Sequence, residues 1–389
     1  MPDRSLILEG RTWAEVSLAA LGENFHAIRK HVGAGVTICA VVKADGYGHG
    51  AVECARALES EGAEWLGVTD ANEGQALRGA GVEARILLMT GIRKGEEEGV
   101  IAQKLTPTIW EPWHIELLER AARKRPSDLP AHRLPVHLKI DTGMSRLGAS
   151  QEALPHLGEM LSACKHLSLE GVSTHLASAE VLDAKDARRQ IKRFEEGLAV
   201  LRSHGLRPEL VHMGNSAATS ARPETWKKMV RPGLALYGYS LDFTRAGKPA
   251  EVARLPQLRP VLSWKARVLT VKELAAGQAV GYTGTFVTKA RSRIAVLPVG
   301  YADGYPRLLS NRARVIIGGE YAPVVGCVSM DLTTVDVSHI QGVAVGDEVI
   351  LIGRRSGKSV DAAELARLSE TIPYEILCGL AKRVPRVYL

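Results

Sequence analysis

Short β-rich runs alternate with amphipathic helical stretches about eight times across roughly the first 240 residues, and nothing else in the chain narrows its fold as much. The runs fall at residues 37–42, 65–68, 85–89, 106–110, 135–140, 167–175, 209–212 and 228–237, with the clearest helical stretches at 151–163 and 184–203. Ahead of them a strand over 12–16 leads to Ser17 as an N-cap, after which Leu18, Leu21, Phe25 and Ile28 recur at helical spacing. A doubly wound sheet and a closed (β/α)8 barrel share this alternation. The count favours a TIM-type barrel, whose chemistry sits at the C-terminal ends of its strands. The polar residues that interrupt the apolar runs fall at those ends: Lys43, Lys139 to Arg146, His175, Asn215 with Ser216, and Arg231.

After about residue 240 the texture changes. Residues 245–260, rich in charge, proline and glycine, read as a connector. β-Branched runs follow at 261–271, 294–299, 314–317, 322–328, 333–337 and 349–352, and only 362–368 reads as helical. The expectation is a barrel domain over 1–244 and a mainly β domain over 245–389, with the first ~12 residues packing with the second.

Hydrophobic residues make up 46% of the chain and charged residues 24%, which excludes a disordered chain. No apolar run approaches the roughly 20 residues that a bilayer crossing needs, and with Met1-Pro2-Asp3-Arg4 at its start no signal peptide is expected. The five cysteines, Cys39, Cys54, Cys164, Cys327 and Cys378, are scattered without a C-x-x-C pair, so reduced thiols in a cytoplasmic protein are expected. The net charge of +7 is spread thinly and without interleaved aromatics. It fits a solvated surface that attracts anionic ligands better than a nucleic-acid interface.

Individual residues carry the chemistry. In Val41-Val42-Lys43-Ala44-Asp45-Gly46-Tyr47-Gly48-His49-Gly50, a lysine ends an apolar run and a glycine-rich turn follows at once. Desolvation there lowers an ammonium pKa and makes the amine nucleophilic, as Schiff-base chemistry requires; the plainer alternative is a lysine that snorkels to solvent. Leu138-Lys139-Ile140-Asp141-Thr142-Gly143 repeats the pattern. Two buried lysines repel, so one has to be neutral or modified, unless Lys139 forms an ordinary ion pair with Asp141 or Glu170. His175 taken alone reads as a core histidine. Ser216 opens a short helix whose N–H groups suit a phosphate or are merely capped. Arg231, in Val230-Arg231-Pro232-Gly233-Leu234, has to be paired or face a ligand.

Taken together, these segments resemble the alanine racemases. The stretch from Lys43 to Gly50 is similar to that family's cofactor-lysine signature, and further separated motifs follow in the family's order over nearly the whole chain. The resemblance implies an enzyme that uses pyridoxal 5′-phosphate (PLP) to interconvert L- and D-alanine, supplying D-alanine for cell-wall peptidoglycan. It implies Lys43 as the covalent anchor of PLP and one proton carrier. Tyr282, in Ala279-Val280-Gly281-Tyr282-Thr283-Gly284, would be the carrier on the opposite face. It further implies cofactor contacts from Tyr47, His175, Asn215, Ser216, Arg231, Gly233 and Tyr374, and substrate contacts from Arg146, Tyr301, Met330 and Asp331. Lys139 matches a lysine that is often carbamylated to N6-carboxylysine. Arg231 matches the residue set against the pyridine nitrogen. A guanidinium keeps its proton, so that nitrogen stays unprotonated, and the weaker electron sink favours quick reprotonation at the α-carbon. The same resemblance implies a homodimer in which one subunit's β domain covers the barrel mouth of its partner, with Tyr282, Met330 and Asp331 supplied in trans. The charge pattern, apolar runs and cysteine spacing lead us to expect no metal, nucleic-acid or membrane partner.

Two positions depart from the family's pattern. Cys327 stands where many relatives carry an arginine at the substrate corridor, and Glu180 stands where an aspartate is common. A serine or broad-specificity racemase is therefore the alternative. Arg231 argues against a PLP decarboxylase on the same barrel, because those enzymes usually set a carboxylate at the pyridine nitrogen. The second domain and Tyr282 argue against a PLP carrier.

Overall fold

The computed structural model describes residues 10–124, 133–252 and 256–389. Residues 1–9 of the N-terminal stretch and residues 253–255 of the expected connector lie outside the described residues. The chain divides into two compact units. One comprises Leu21–Gly46 and Ala51–Leu258; the other comprises residues 10–20, Tyr47–Gly50 and Arg259–Leu389.

The first strand, β1 (Thr12–Val16), belongs to the second unit. The next eight build the first unit: β2 (Thr37–Val41), β3 (Trp65–Val68), β4 (Arg85–Leu88), β5 (Leu105–Ile109), β6 (Leu134–Lys139), β7 (Leu167–Ser173), β8 (Leu210–Gly214) and β9 (Met229–Val230). They close into a barrel in sequence order, each strand parallel to the next, with β9 paired back onto β2. This is the expected (β/α)8 architecture. Strands covered on both faces carry continuous apolar runs rather than alternating ones, and β3 and β5 are buried along their whole length. Helices Leu154–Ala163 and Lys185–Ser203 lie where the periodicity places them. In helix Leu18–Val32 the hydroxyl of Ser17 accepts from the N–H of Ala20 at 3.2 Å, and Leu21, Phe25 and Ile28 are fully buried.

The last barrel run is shorter than the sequence suggests. Only Met229–Val230 is strand, because Pro232 has no N–H to give to a ladder and the chain turns repeatedly from Gly233 to Tyr237. The ladder also shifts register at Val136/His137, between β6 and β7, and at His212/Gly214, between β8 and β9.

In the second unit β1 pairs antiparallel with Leu262–Arg267 and parallel with Arg386–Tyr388, in a sheet that also holds Arg314–Ile317, Glu320–Pro323 and Glu348–Arg355. A separate sheet holds Thr270–Leu274, Ser292–Leu297 and Thr333–Asp336. The run at 261–271, expected as one strand, is therefore two strands in two sheets. A second helix, Pro373–Cys378, also joins the expected Ala362–Leu368. Its proline occupies the first turn, where a missing N–H costs nothing, and Ile376 and Leu377 bury beneath it. Six residues are too few to display helical periodicity. The five cysteines are free thiols, and no helix among the described residues is long and apolar enough to cross a membrane.

Candidate active site

Five of the barrel's strands deliver polar groups at their C-terminal ends. Lys43 follows β2, Lys139 closes β6, His175 follows β7, Asn215 follows β8 and Arg231 follows β9. Parallel strands in one closed barrel carry these ends to a single rim, which is how the fold gathers residues far apart in sequence.

The backbone after Lys43 is strained. Ala44, Asp45, Gly46 and Tyr47 all have φ between 53° and 61°, a left-handed turn that costs about 1–2 kcal/mol for each non-glycine residue. Side chains brace it. Glu73 accepts from the N–H of Ala44 at 2.8 Å, Asp45 accepts from that of Ala51 at 3.0 Å, and the N–H of Gly46 donates back to the carbonyl of Val42 at 2.9 Å. The turn stops the polypeptide directly after Lys43, so the lysine stands at the rim instead of opening a helix.

Positive charge accumulates there. Burial, followed by Arg231, Arg146 and Lys43, pushes Lys139 down from the usual 10.5 to about 8, and only Asp141 acts in the other direction. The ion pair considered for Lys139 does not form: Glu170 is taken by Arg85, with both oxygens at 2.7 Å, and Asp141 accepts from the N–H groups of Gly143 and Ser145. Arg146 is exposed. Burial, then the same cations led by Arg231, hold His175 down at about 3, so it is a neutral ring. Burial lowers Arg231 to about 10, and it remains charged at neutral pH. The residue is 6% exposed. Nη1 donates to Nδ1 of His212 at 2.6 Å and Nη2 to the carbonyl of Thr174 at 2.8 Å, while none of the described residues accepts from Nε–H.

The hydroxyl of Ser216 accepts from the N–H of Gly233 at 2.9 Å and from that of Ala235 at 3.3 Å. Its own proton therefore points elsewhere. Asn215 is the N-cap of helix Ser216–Ala221, its side-chain oxygen accepting from the N–H of Ala218 at 3.0 Å.

The other candidates belong to the second unit. The Tyr47 ring, buried, lies 5.9 Å from the Tyr374 ring, and burial pushes the Tyr47 phenol upward. Tyr282 is 69% exposed on a tight turn made by Gly281 (φ 72°) and Thr283 (φ 58°). Cys327 places its sulfur 3.6 Å from the Thr285 hydroxyl and 3.9 Å from that of Thr283, beside the same turn. Tyr301 and Met330 are exposed, and their segments are laced together: the N–H of Tyr301 donates to the carbonyl of Ser329 and that of Ala302 to Met330, both at 3.0 Å. Arg383 grips Asp331 at 2.6 Å and Asp303 at 2.7 Å, fixing the carboxylate of Asp331. Arg383, Glu73, His137 and His212 carry no role in the sequence reading. A signal was present for the two histidines: a polar ring inside a strand that should be apolar on both faces.

The family model described as Alanine racemase, N-terminal domain, matches residues 16–241, and the one described as Alanine racemase, C-terminal domain, matches residues 261–388. An alanine racemase from Symbiobacterium thermophilum is 44% identical over 378 residues, 97% of each chain. Among solved structures, alanine racemase from Streptomyces coelicolor A3(2) superposes with a TM-score of 0.89 at 33% identity, covering 100% of both chains. Alanine racemase from Bartonella henselae with covalently bound pyridoxal phosphate superposes with a TM-score of 0.84 at 30% identity, over 98% of this chain and 100% of that one. Both halves of the chain and nearly its whole length thus match one set of isomerases, and the chain belongs to the alanine racemase family.

Proposed function

We propose that this member of the family racemises alanine with PLP held on Lys43 and with Lys43 and Tyr282 as proton carriers on opposite faces of the substrate. One observation carries the reading: Lys43, Lys139, Arg146 and the buried Arg231 crowd one barrel rim, and Asp141 is the one carboxylate that eases the protonation of Lys139. Such a rim suits a ligand that brings its own negative charge, and a phosphate ester together with an amino-acid carboxylate supplies it. The unaccepted Nε–H of Arg231 suits a ring nitrogen that offers a lone pair. PLP, when bound, acidifies the α-C–H of an attached amino acid.

The residues divide the remaining work. With PLP bound, the Lys43 amine would take or return the α-proton on one face of the substrate, and the Tyr282 phenol would do so on the other. Arg231 would keep the ring nitrogen unprotonated. His175, neutral, would pack on the ring. Tyr47, Tyr374, Asn215, Ser216 and Gly233 would hold the phosphate end, and Arg146, Tyr301, Met330 and Asp331 would orient the substrate. A carbamate on Lys139 replaces one cation of the cluster with an anion and steadies Arg146. The protein works as a cytoplasmic homodimer that shares its active sites, Tyr282, Met330 and Asp331 serving in trans, and it supplies D-alanine for peptidoglycan.

Cys327 keeps a second substrate reading in play. A thiol beside the Tyr282 turn is smaller than an arginine and carries no fixed positive charge, which favours a serine or broad-specificity racemase. The deciding experiment is racemisation of a panel of L- and D-amino acids by the purified protein with PLP. Alanine turned over fastest supports the main reading. Serine matching alanine supports the second, and no enantiomer interconverted rejects both.

A further inference from the structure

The interior of such a barrel is ordinarily filled by branched apolar side chains. Here a chain of polar groups threads it. From Arg231 Nη1 the contacts run to His212 Nδ1 at 2.6 Å, from His212 Nε2 to His137 Nδ1 at 2.9 Å, and from His137 Nε2 to Glu170 Oε2 at 3.4 Å. Glu170 then binds Arg85 through both oxygens at 2.7 Å. The last His137–Glu170 step is an electrostatic contact and not a hydrogen bond: the buried Nε2 of His137 faces the carboxylate without a hydrogen-bond partner among the described residues. His137, His212 and Arg231 are buried, and Arg85 ends the chain half-exposed at the first residue of β4, its guanidinium 4.0 Å over the Trp65 ring.

Proton inventory sets the direction of the chain. An arginine only donates, so His212 Nδ1 accepts and a neutral His212 keeps its proton on Nε2. That proton goes to His137 Nδ1, so His137 keeps its own on Nε2, facing the Glu170 carboxylate. Every donor points away from Arg231 and toward the one anion.

The backbone bends to make room for these rings. The register shift in β6–β7 falls at His137 and the one in β8–β9 at His212, and such bulges re-aim side chains. Gly171 lies against His137, and a Cβ there would overlap the imidazole. Among the described residues no carboxylate lies within ion-pair distance of Arg231 itself, so Glu170 is its counter-charge at three removes.

We propose that Glu170 and His137 are positioning residues for Arg231: acting through His212, they fix its guanidinium in one orientation and thereby set how it meets the cofactor. The proposal rests on the reading that Arg231 faces the ring nitrogen of PLP. It is tested on the full-length protein with Glu170→Gln, which keeps shape and removes charge, and with Arg85→Lys, which keeps a cation beside Glu170. Two readouts are needed: nitrogen-15 imidazole shifts of His137 and His212 in cofactor-free protein, which report tautomers, and kcat and KM for alanine with PLP.

The wild type should hold both imidazoles as Nε2–H tautomers, and Arg85→Lys should retain them. Glu170→Gln should keep that tautomer, shift the nitrogen-15 resonance of His137 Nε2, which loses the facing anion, and lower kcat about ten-fold with KM little changed, the scale at which groups behind a site's contacting residues act. A wild-type His212 protonated on Nδ1 overturns the relay even if Glu170→Gln does not fold. A His137 Nε2 resonance unmoved in Glu170→Gln also overturns it, and a shift without loss of kcat overturns the positioning role. Wild-type protein that never racemises with PLP refutes the reading of Arg231 instead, and the tautomers still report on the relay.

Discussion

The carboxylate of Glu73 accepts from the backbone N–H of Ala44 across 2.8 Å and, with its other oxygen, from that of Thr69 across 2.6 Å. One side chain thus ties the end of β3 to the left-handed turn that halts the chain after Lys43. A hydrogen bond to a charged group contributes about 1.5–3 kcal/mol, and a backbone donor left bare costs more than one never buried. Glu73→Ala should therefore lower stability by about 2 kcal/mol in urea unfolding. Glu73→Gln, which retains one carbonyl acceptor, should lose less. Equal stability in all three proteins would show that the turn holds without this brace.

Lys43→Ala should abolish racemisation and the visible absorbance of covalently held PLP together. A spectrophotometric titration with PLP checks both proteins, and absorbance unchanged in the variant rejects Lys43 as the anchor.

Lys139 gives a pH dependence whose sign is fixed by its surroundings. Its pKa falls from 10.5 to about 8 on folding, through burial and then Arg231, Arg146 and Lys43. Between those pH values the unfolded chain binds a proton that the folded chain does not, so the unmodified protein gains stability as pH rises from about 8 to about 10.5. In carbonate-free buffer Lys139→Met should lack that rise in urea unfolding. The depressed pKa also leaves a neutral amine open to carbamylation near neutral pH, so carbon-13 bicarbonate should give a carbamate resonance that Lys139→Met lacks. A signal of equal size in both proteins would place the carbamate elsewhere.

Gly300 sits where two segments meet. A Cβ there would overlap the carbonyl oxygens of Ser329 and Met330, and backbone cannot move aside as a side chain does. Gly300→Ala should cost about 1–3 kcal/mol of stability and raise KM for alanine by shifting Tyr301 and Met330. An unaltered KM would separate these segments from substrate binding.

The barrel was legible because the strand–helix alternation repeats eight times and the polar interruptions, Lys43, Lys139, His175, Asn215 and Arg231, all fall at or just after strand ends. Local spacing carries that much. The His212–His137–Glu170 chain was not legible, because one histidine in a strand reads as core, and the bulges that turn these rings toward each other arise only when neighbouring strands pair. Glu73 was hidden for a similar reason: its partner Ala44 lies 29 residues away in the chain. Helix Pro373–Cys378 was too short to show a period, and the run at 261–271 splits because its two halves join different sheets, a tertiary choice.

The claim that two carriers act on opposite faces is tested most directly by α-deuterium incorporation in heavy water by Tyr282→Phe with PLP, started separately from L-alanine and D-alanine. Incorporation should be far slower from one enantiomer, whose proton Tyr282 handles, and nearly normal from the other, whose proton Lys43 handles. Equal slowing from both, or none from either, would contradict the two-carrier account.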